Sequence, residues 1–139
     1  MSVKTSSFSI STGGTCDIHD ISPQVEKALR ASGLQSGIIC VFVPGSTAGI
    51  TSIEFEPGVL SDLKKAIEKL APSNIRYDHD ARWGDGNGFS HVRAALLGAS
   101  FSVPFSGTKM LLGTWQQIVL IDFDNRPRNR EVVVQVFGE

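Results

Sequence analysis

The residues best suited to chemistry are gathered between positions 79 and 118. His79 and His91 lie twelve residues apart, and the segment between them holds Asp80, Arg82, Asp85 and the glycines Gly84, Gly86 and Gly88. Imidazole is the commonest metal ligand and the side chain that titrates nearest neutrality. Two of them flanking an acidic, glycine-rich loop suit a polar pocket for a divalent ion, zinc or magnesium, or for a phosphate. His79, His91 and Asp85 form the candidate metal set, with Asp78, Asp80 and Glu54 as further carboxylates. The competing reading makes one histidine a surface residue and the other a hydrogen-bonded piece of scaffold. Glu54 alternates with Ile53 and Phe55 near the end of a strand. There it is either solvated or a desolvated acid whose raised pKa would suit acid–base work beside His79 and His91.

A second polar group lies at Pro44-Gly45-Ser46-Thr47-Ala48-Gly49. Backbone N–H groups in such a turn can cradle an anion, and the Ser46 and Thr47 hydroxyls add donors. The turn lacks the lysine of a P-loop and precedes no helix, so it is not a nucleotide-binding motif of that kind. Taken alone, the feature is better read as a plain Ser/Thr turn. Asn87 offers an amide donor to the same anion. Arg126, Arg128 and Arg130 crowd one turn; Arg128 and Arg130 could present planar guanidiniums to a phosphate, or simply face water. Trp115 reads as a core tryptophan, and His19, between Asp17 and Asp20, as a surface turn residue.

These side chains belong to a chain of 139 residues with a formal net charge of -1, which predicts one domain and offers no basic field for nucleic acid. No apolar run approaches the roughly 20 residues of a membrane span, and no charged segment followed by an apolar stretch marks a signal peptide. Two cysteines, Cys16 and Cys40, are too few for a disulfide framework, so the expected setting is the reducing cytoplasm. A Cys16–Cys40 bridge is left open.

The elements that must position the site follow from periodicity. Residues 3–12 alternate as a strand, and Gly13-Gly14 ends it. Ser22 as N-cap and Pro23 open a helix over 23–32, closed by Gly33. Residues 37–44 are an apolar, β-branched run, and 47–55 a second strand. Pro57 opens a helix to about 71, with Val59, Leu60, Leu63, Ile67 and Leu70 on one face and Pro72 as its stop. Residues 73–88 show no periodicity, although Tyr77 and Trp83 argue against disorder. A short helix over 89–97 follows, then strands at 100–104, 109–112, 115–123 and 131–137. The expected architecture is α+β: a single compact domain with largely antiparallel or mixed sheets and about three helices on one face. The last strands would form an antiparallel meander, and the sheet edges would invite pairing with another subunit.

With these residues in view, the chain resembles the YjbQ-like family, also described as secondary thiamine-phosphate synthases. The likeness rests on Thr47-Ala48-Gly49-Ile50-Thr51 with Glu54, Glu56-Pro57-Gly58-Val59, Tyr77 with His79, and Gly86-Asn87. It continues through Ser90-His91-Val92-Arg93, Leu97-Gly98, Pro104, Leu112-Gly113-Thr114-Trp115-Gln116 and Gly138-Glu139. The resemblance implies a small α+β domain, assembly as a homotrimer, and pockets near subunit boundaries that bind a metal or phosphate-like anion. It also implies a weak joining of a pyrimidine diphosphate to a thiazole phosphate, giving thiamine phosphate. His79, His91 and Glu54 match the family's site residues. Many members carry His where this chain has Ser46, so a three-His metal set is incomplete, and Asp, Glu or water is left to fill it. Two functions follow as expectations. One is a cytoplasmic, metal-assisted transferase or hydrolase acting on a phosphorylated small molecule. The other is a non-catalytic trimer that binds a metal or phosphorylated metabolite.

Overall fold

The computed structural model describes residues 1–139. Its strands are β1 (Ser2–Thr12), β2 (Asp17–Asp20), β3 (Ser36–Phe42), β4 (Ala48–Ile53), β5 (Ser100–Ser106), β6 (Lys109–Met110), β7 (Gln117–Asp122) and β8 (Arg128–Gly138). The helices are α1 (Ser22–Ser32), α2 (Pro57–Leu70), α3 (Asp78–Trp83) and α4 (Gly88–Leu97). All strand pairs are antiparallel, in a five-stranded sheet β1-β8-β3-β5-β6 and a three-stranded sheet β2-β7-β4.

The small sheet is the middle layer, and β7 is its centre. Along β7 and just beyond it, alternate side chains enter two different cores, as the two-residue period of a strand requires. Ile118 and Leu120 join Val132, Val134 and Val136 of β8, Ile39 and Val41 of β3, and Val25 and Leu29 of α1. Val119, Ile121 and Phe123 turn the other way, onto Ile67 of α2 and Ala94 of α4. The fold is therefore large sheet on small sheet on α2 and α4, and α1 packs into the first core instead of joining the other helices on one face as expected. The layering explains why residues 118–121 read as an unbroken apolar run: both faces of this strand are covered.

The α+β architecture agrees with the expectation, but its topology does not. No C-terminal meander forms, because β5 and β6 stay in the large sheet, β7 leaves for the small one, and β8 returns between β1 and β3. Only the tertiary pairing decides this, since an apolar alternation says which face is buried and not which neighbour is met. The segment 73–88, read as aperiodic, contains the six-residue α3. That helix has no buried residue, so it has no apolar face to betray it. Ser22 does not cap α1. Its hydroxyl accepts the Ile118 N–H at 2.9 Å and ties the helix start to β7. Trp115 is a correction of the same kind: it is 72% exposed, in the loop before β7. His19 lies in β2, its Nε2 2.7 Å from Asp17 Oδ2. Both cysteines are free thiols, and burial pushes the Cys16 thiol up from its ordinary value.

Leu120 is fully buried between the sheets, whereas Leu96 on α4 is 65% exposed. Leu120→Ala is expected to lower the free energy of unfolding by about 2–5 kcal/mol, and Leu96→Ala by less than about 0.5 kcal/mol. Urea melts of the two variants compare these values directly.

Candidate functional site

Two short helices carry the histidines, and specific contacts fix each helix. Tyr77 precedes α3, and its hydroxyl donates to the Pro72 carbonyl at 2.7 Å. Gly88 opens α4 against the same tyrosine. A Cβ at Gly88 would lie 2.5 Å from Tyr77 Cβ, so only glycine allows this approach. The Gly88 N–H donates to Asp80 Oδ1 at 2.8 Å. The α4 N-terminus thus already holds an anionic partner, the Asp80 carboxylate, rather than lying open for a ligand. Ser90 hydrogen-bonds the Phe123 carbonyl through its hydroxyl, pinning α4 to the end of β7. Buried Arg93 reaches back to the end of α2, donating to the Ala71 carbonyl at 3.0 Å and pairing with Glu68 at 2.5 Å. These constraints bring the His79 and His91 rings to 4.5 Å between centroids, tilted by 53°.

Behind the rings lies a buried ionic network. Asp122 and Asp124, at and just past the end of β7, have no exposed surface. Arg130 holds Asp122 with two bonds, Nε to Oδ2 at 2.7 Å and Nη2 to Oδ1 at 2.9 Å, and Thr12 adds a third at 2.5 Å. Arg128 donates to Asp124 Oδ2 from Nε at 2.8 Å and from Nη2 at 2.6 Å. Thr47 donates to the same oxygen at 3.1 Å and accepts Arg130 Nη2 at 2.7 Å. Asn87 donates its amide to Asp124 Oδ1 at 3.3 Å and meets His79 Nε2 with its own oxygen at 3.1 Å. Burial alone would raise the Asp124 pKa. The hydrogen bonds from Arg128, the Asn125 N–H, Asn87 and Thr47 outweigh it and hold the group at about 2, against an ordinary 3.8. Asp122 is also lowered: burial opposes ionisation, and Arg130, Thr12 and the Asp124 N–H overcome it.

This network corrects several expectations. Arg128 and Arg130 do not sit in a solvated turn, because both neutralise buried carboxylates. Thr47 has given its one proton to Asp124, and Asn87 has both ends of its amide engaged, so neither is a free anion donor. Ser46 remains open. It lines a cleft of about 360 Å3 with Gly45, Ala48, His91 and Ala94. Arg130 backs this cleft: a Cβ at Gly45 would sit 3.2 Å from its Nη1. Glu54 is not brought to the histidines. It lines a separate cleft with Asp20, Glu56, Trp115 and Gln117.

The structure does gather a group of potential metal ligands. One ligand atom each of His79, Asp80 and Asp85 lie within 4.8 Å of one another, and Asp85 Oδ1 is 3.2 Å from His79 Nε2. One imidazole, a half-buried carboxylate (Asp80) and an exposed one (Asp85) fit a hard divalent ion that keeps several waters better than a closed tetrahedral zinc site. Sequence reasoning did not single out Asp122 or Asp124. Their signal was present: two carboxylates inside Ile121-Asp122-Phe123-Asp124, at the end of an apolar run, need partners to be buried.

The folded-state pKa of Asp124 is depressed, so its contribution is full above the unfolded value near 4 and is lost as pH falls through about 2. That contribution is about 2 kcal/mol. Asp124→Asn is expected to flatten the fall in unfolding free energy between about pH 5 and pH 2 by this amount. Denaturant melts across that range give the test, and an unchanged acid slope would contradict it.

Comparison with known proteins agrees with this fold. Residues 6–139 match the family described as UPF0047 protein YjbQ-like. A UPF0047 protein of Methanothermobacter thermautotrophicus is 39% identical over 139 residues, covering 100% of this chain and 95% of its own. A YjbQ-like protein of unknown function from Sulfolobus solfataricus superposes with a TM-score of 0.89 at 31% identity, covering 99% of this chain and 100% of that one. A hypothetical protein of Aeropyrum pernix gives a TM-score of 0.90 at 30% identity, covering 98% and 99%. The shared sequence over nearly the full length, together with the shared three-layer fold, shows that the chain belongs to the YjbQ-like UPF0047 family.

Proposed function

We propose that the protein is an enzyme acting on a phosphorylated small molecule. The supporting observation is the meeting of the two imidazoles at 4.5 Å, with His91 on the wall of the Ser46 cleft. A phosphate in that cleft would take the Ser46 hydroxyl and an imidazolium, with the positive end of Arg130 behind Gly45. His79, Asp80 and Asp85 are the group from which ligands for a divalent ion beside that phosphate would be drawn. Such an ion would neutralise charge developing on a leaving phosphate or diphosphate. In the thiamine-phosphate synthase reaction implied by the family resemblance, the pyrimidine methylene C–O bond breaks. Diphosphate departs with the electron pair, and the thiazole nitrogen forms the new C–N bond. The residues around the cleft would bind the leaving group, and His91 would donate a hydrogen bond to it as charge grows.

His91→Ala is expected to lower turnover at least about 100-fold with little change in melting temperature, since the ring is only partly buried and no hydrogen bond of its side chain holds the fold. Full activity in that variant would refute the catalytic reading. Binding of the diphosphate substrate without turnover in the parent protein would instead favour the trimeric binding protein. Metal content of untagged protein, compared with a His79→Ala/His91→Ala variant, tests the ion: about one divalent ion per chain should fall to none.

Assembly as a homotrimer in the reducing cytoplasm is part of the same proposal. On the outer face of the large sheet, Val3, Phe137, Ile38 and Pro104 are aligned by register across β1, β8, β3 and β5, and all four are exposed. An apolar row of this kind fits burial against another copy. Light scattering is expected to give three times the chain mass, and Phe137→Asp to reduce it.

A further inference from the structure

Asp124 is fully buried and bonded on both oxygens, yet it touches neither the cleft nor a histidine directly. Its influence passes through Asn87. Arg128 and Thr47 occupy Asp124 Oδ2, and the Asn125 N–H at 2.8 Å shares Oδ1 with Asn87. An ionised carboxylate only accepts hydrogen bonds. The end of Asn87 that faces Asp124 is therefore its NH2. The other end, a carbonyl oxygen that also only accepts, is then forced to face His79 Nε2 at 3.1 Å. The second neighbour of Nε2, Asp85 Oδ1 at 3.2 Å, is another acceptor. Two acceptors converge on one nitrogen, and a neutral imidazole has a single proton to satisfy them.

We infer that Asp124 is a positioning residue: acting through Asn87, it holds the neutral His79 ring with its proton on Nε2 and leaves Nδ1 as the nitrogen that takes a proton or a metal. The neighbouring residue reinforces this arrangement. Asn125 Nδ2 donates to the Asp85 backbone carbonyl at 2.8 Å, so the 124–125 turn anchors both segments that carry acceptors for His79. Asp85 then orients the ring as a carboxylate partner, the role that outer carboxylates play behind metal-bound histidines. On this assignment Asp85, bonded to Nε2–H, drops out of the group of ion ligands, and Nδ1 is the ring atom left to hold an ion. This assignment rests on the reading of His79 as a working group in the proposed site, and it names the atom that works.

The test reads the ring without any ligand, so its failure is separable from failure of the proposed activity. Long-range proton–nitrogen correlation spectra of 15N-labelled protein at about pH 8.5, where imidazoles are neutral, report which ring nitrogen is protonated. The His79 signals are assigned by their loss in His79→Gln. The expected wild-type pattern is Nε2 protonated and Nδ1 bare. Asp85→Ala, on an exposed loop, should keep that pattern, because Asn87 still directs it. Adding Asp124→Asn should let the Asn87 amide turn over and shrink the separation between the two nitrogen shifts to less than half. Asp85→Ala/Asn87→Ala should do the same from the other end of the relay, and it decides the matter if the Asp124 variant does not fold. A wild-type ring protonated on Nδ1 overturns the inference. So does a pattern unchanged from Asp85→Ala in either double variant that folds.

Discussion

Two carboxylates without any exposed surface lie at the end of the central strand, and the structure depends on how they are neutralised. An ionised group buried without a partner would cost far more than a small domain's whole margin of stability. Asp122 and Asp124 avoid this by drawing partners from four separate parts of the chain: Thr12 at the end of β1, Thr47 before β4, Asn87 before α4, and Arg128 and Arg130 at the start of β8. The charges balance, two against two, and each carboxylate accepts more than one bond. The network works as a knot that joins both sheets to the loop preceding α4. Pairs of this kind are weak evidence for net stability, because desolvation offsets much of the attraction. Their stronger effect here is to fix where the surrounding segments lie.

That positioning turns the fold into a site. A helix of six residues without a buried side chain, such as α3, cannot hold a histidine in place by itself. It is held from outside, by Tyr77 against Gly88, by Asp80 on the α4 N-terminus, and by Asn87 reaching from Asp124 to His79. His91 is held by different means, through Ser90 on the Phe123 carbonyl and Arg93 on the end of α2. Both sets of contacts end on residues 122–124 or on the layer packed against them. The polar pocket therefore sits where the middle sheet runs out, with the apolar core below it and open solvent above. Groups that must be fixed rest on the core, and Ser46, which can meet a ligand, lies at the rim.

How much of this could be read from the chain differed by kind of residue. The helices 23–32, 57–71 and 89–97 were legible within a residue or so, because each shows an apolar face at helical spacing. His79 and His91 were recognised as neighbours in function from their shared loop, and the rings do meet. Glu54 is grouped with them by its place near a strand end and by the family resemblance, and it lines another cleft. Arg128, Arg130, Thr47 and Asn87 were noticed as donors, but for a ligand. Their protein acceptors lie dozens of positions away for Thr47 and Asn87, and between four and eight residues away for the arginines. A donor's appetite is visible in its side chain; its acceptor becomes visible only when the chain has closed on itself.

The sequence by itself determined what is local: which segments are helical or extended, which faces are apolar, that the domain is α+β, and that a histidine-bearing acidic loop stands apart from the core pattern. Those properties follow from side-chain period and backbone preference over a few residues. The tertiary structure alone decided what depends on distant partners. It placed β8 between β1 and β3, made β7 a strand with two cores, left Trp115 outside, and buried Asp122 and Asp124 among arginines that a linear reading gives to a phosphate or to water. The physical reason is that strand pairing and charge neutralisation join groups each compatible with many partners, near or far along the chain. Only the packed chain selects among them.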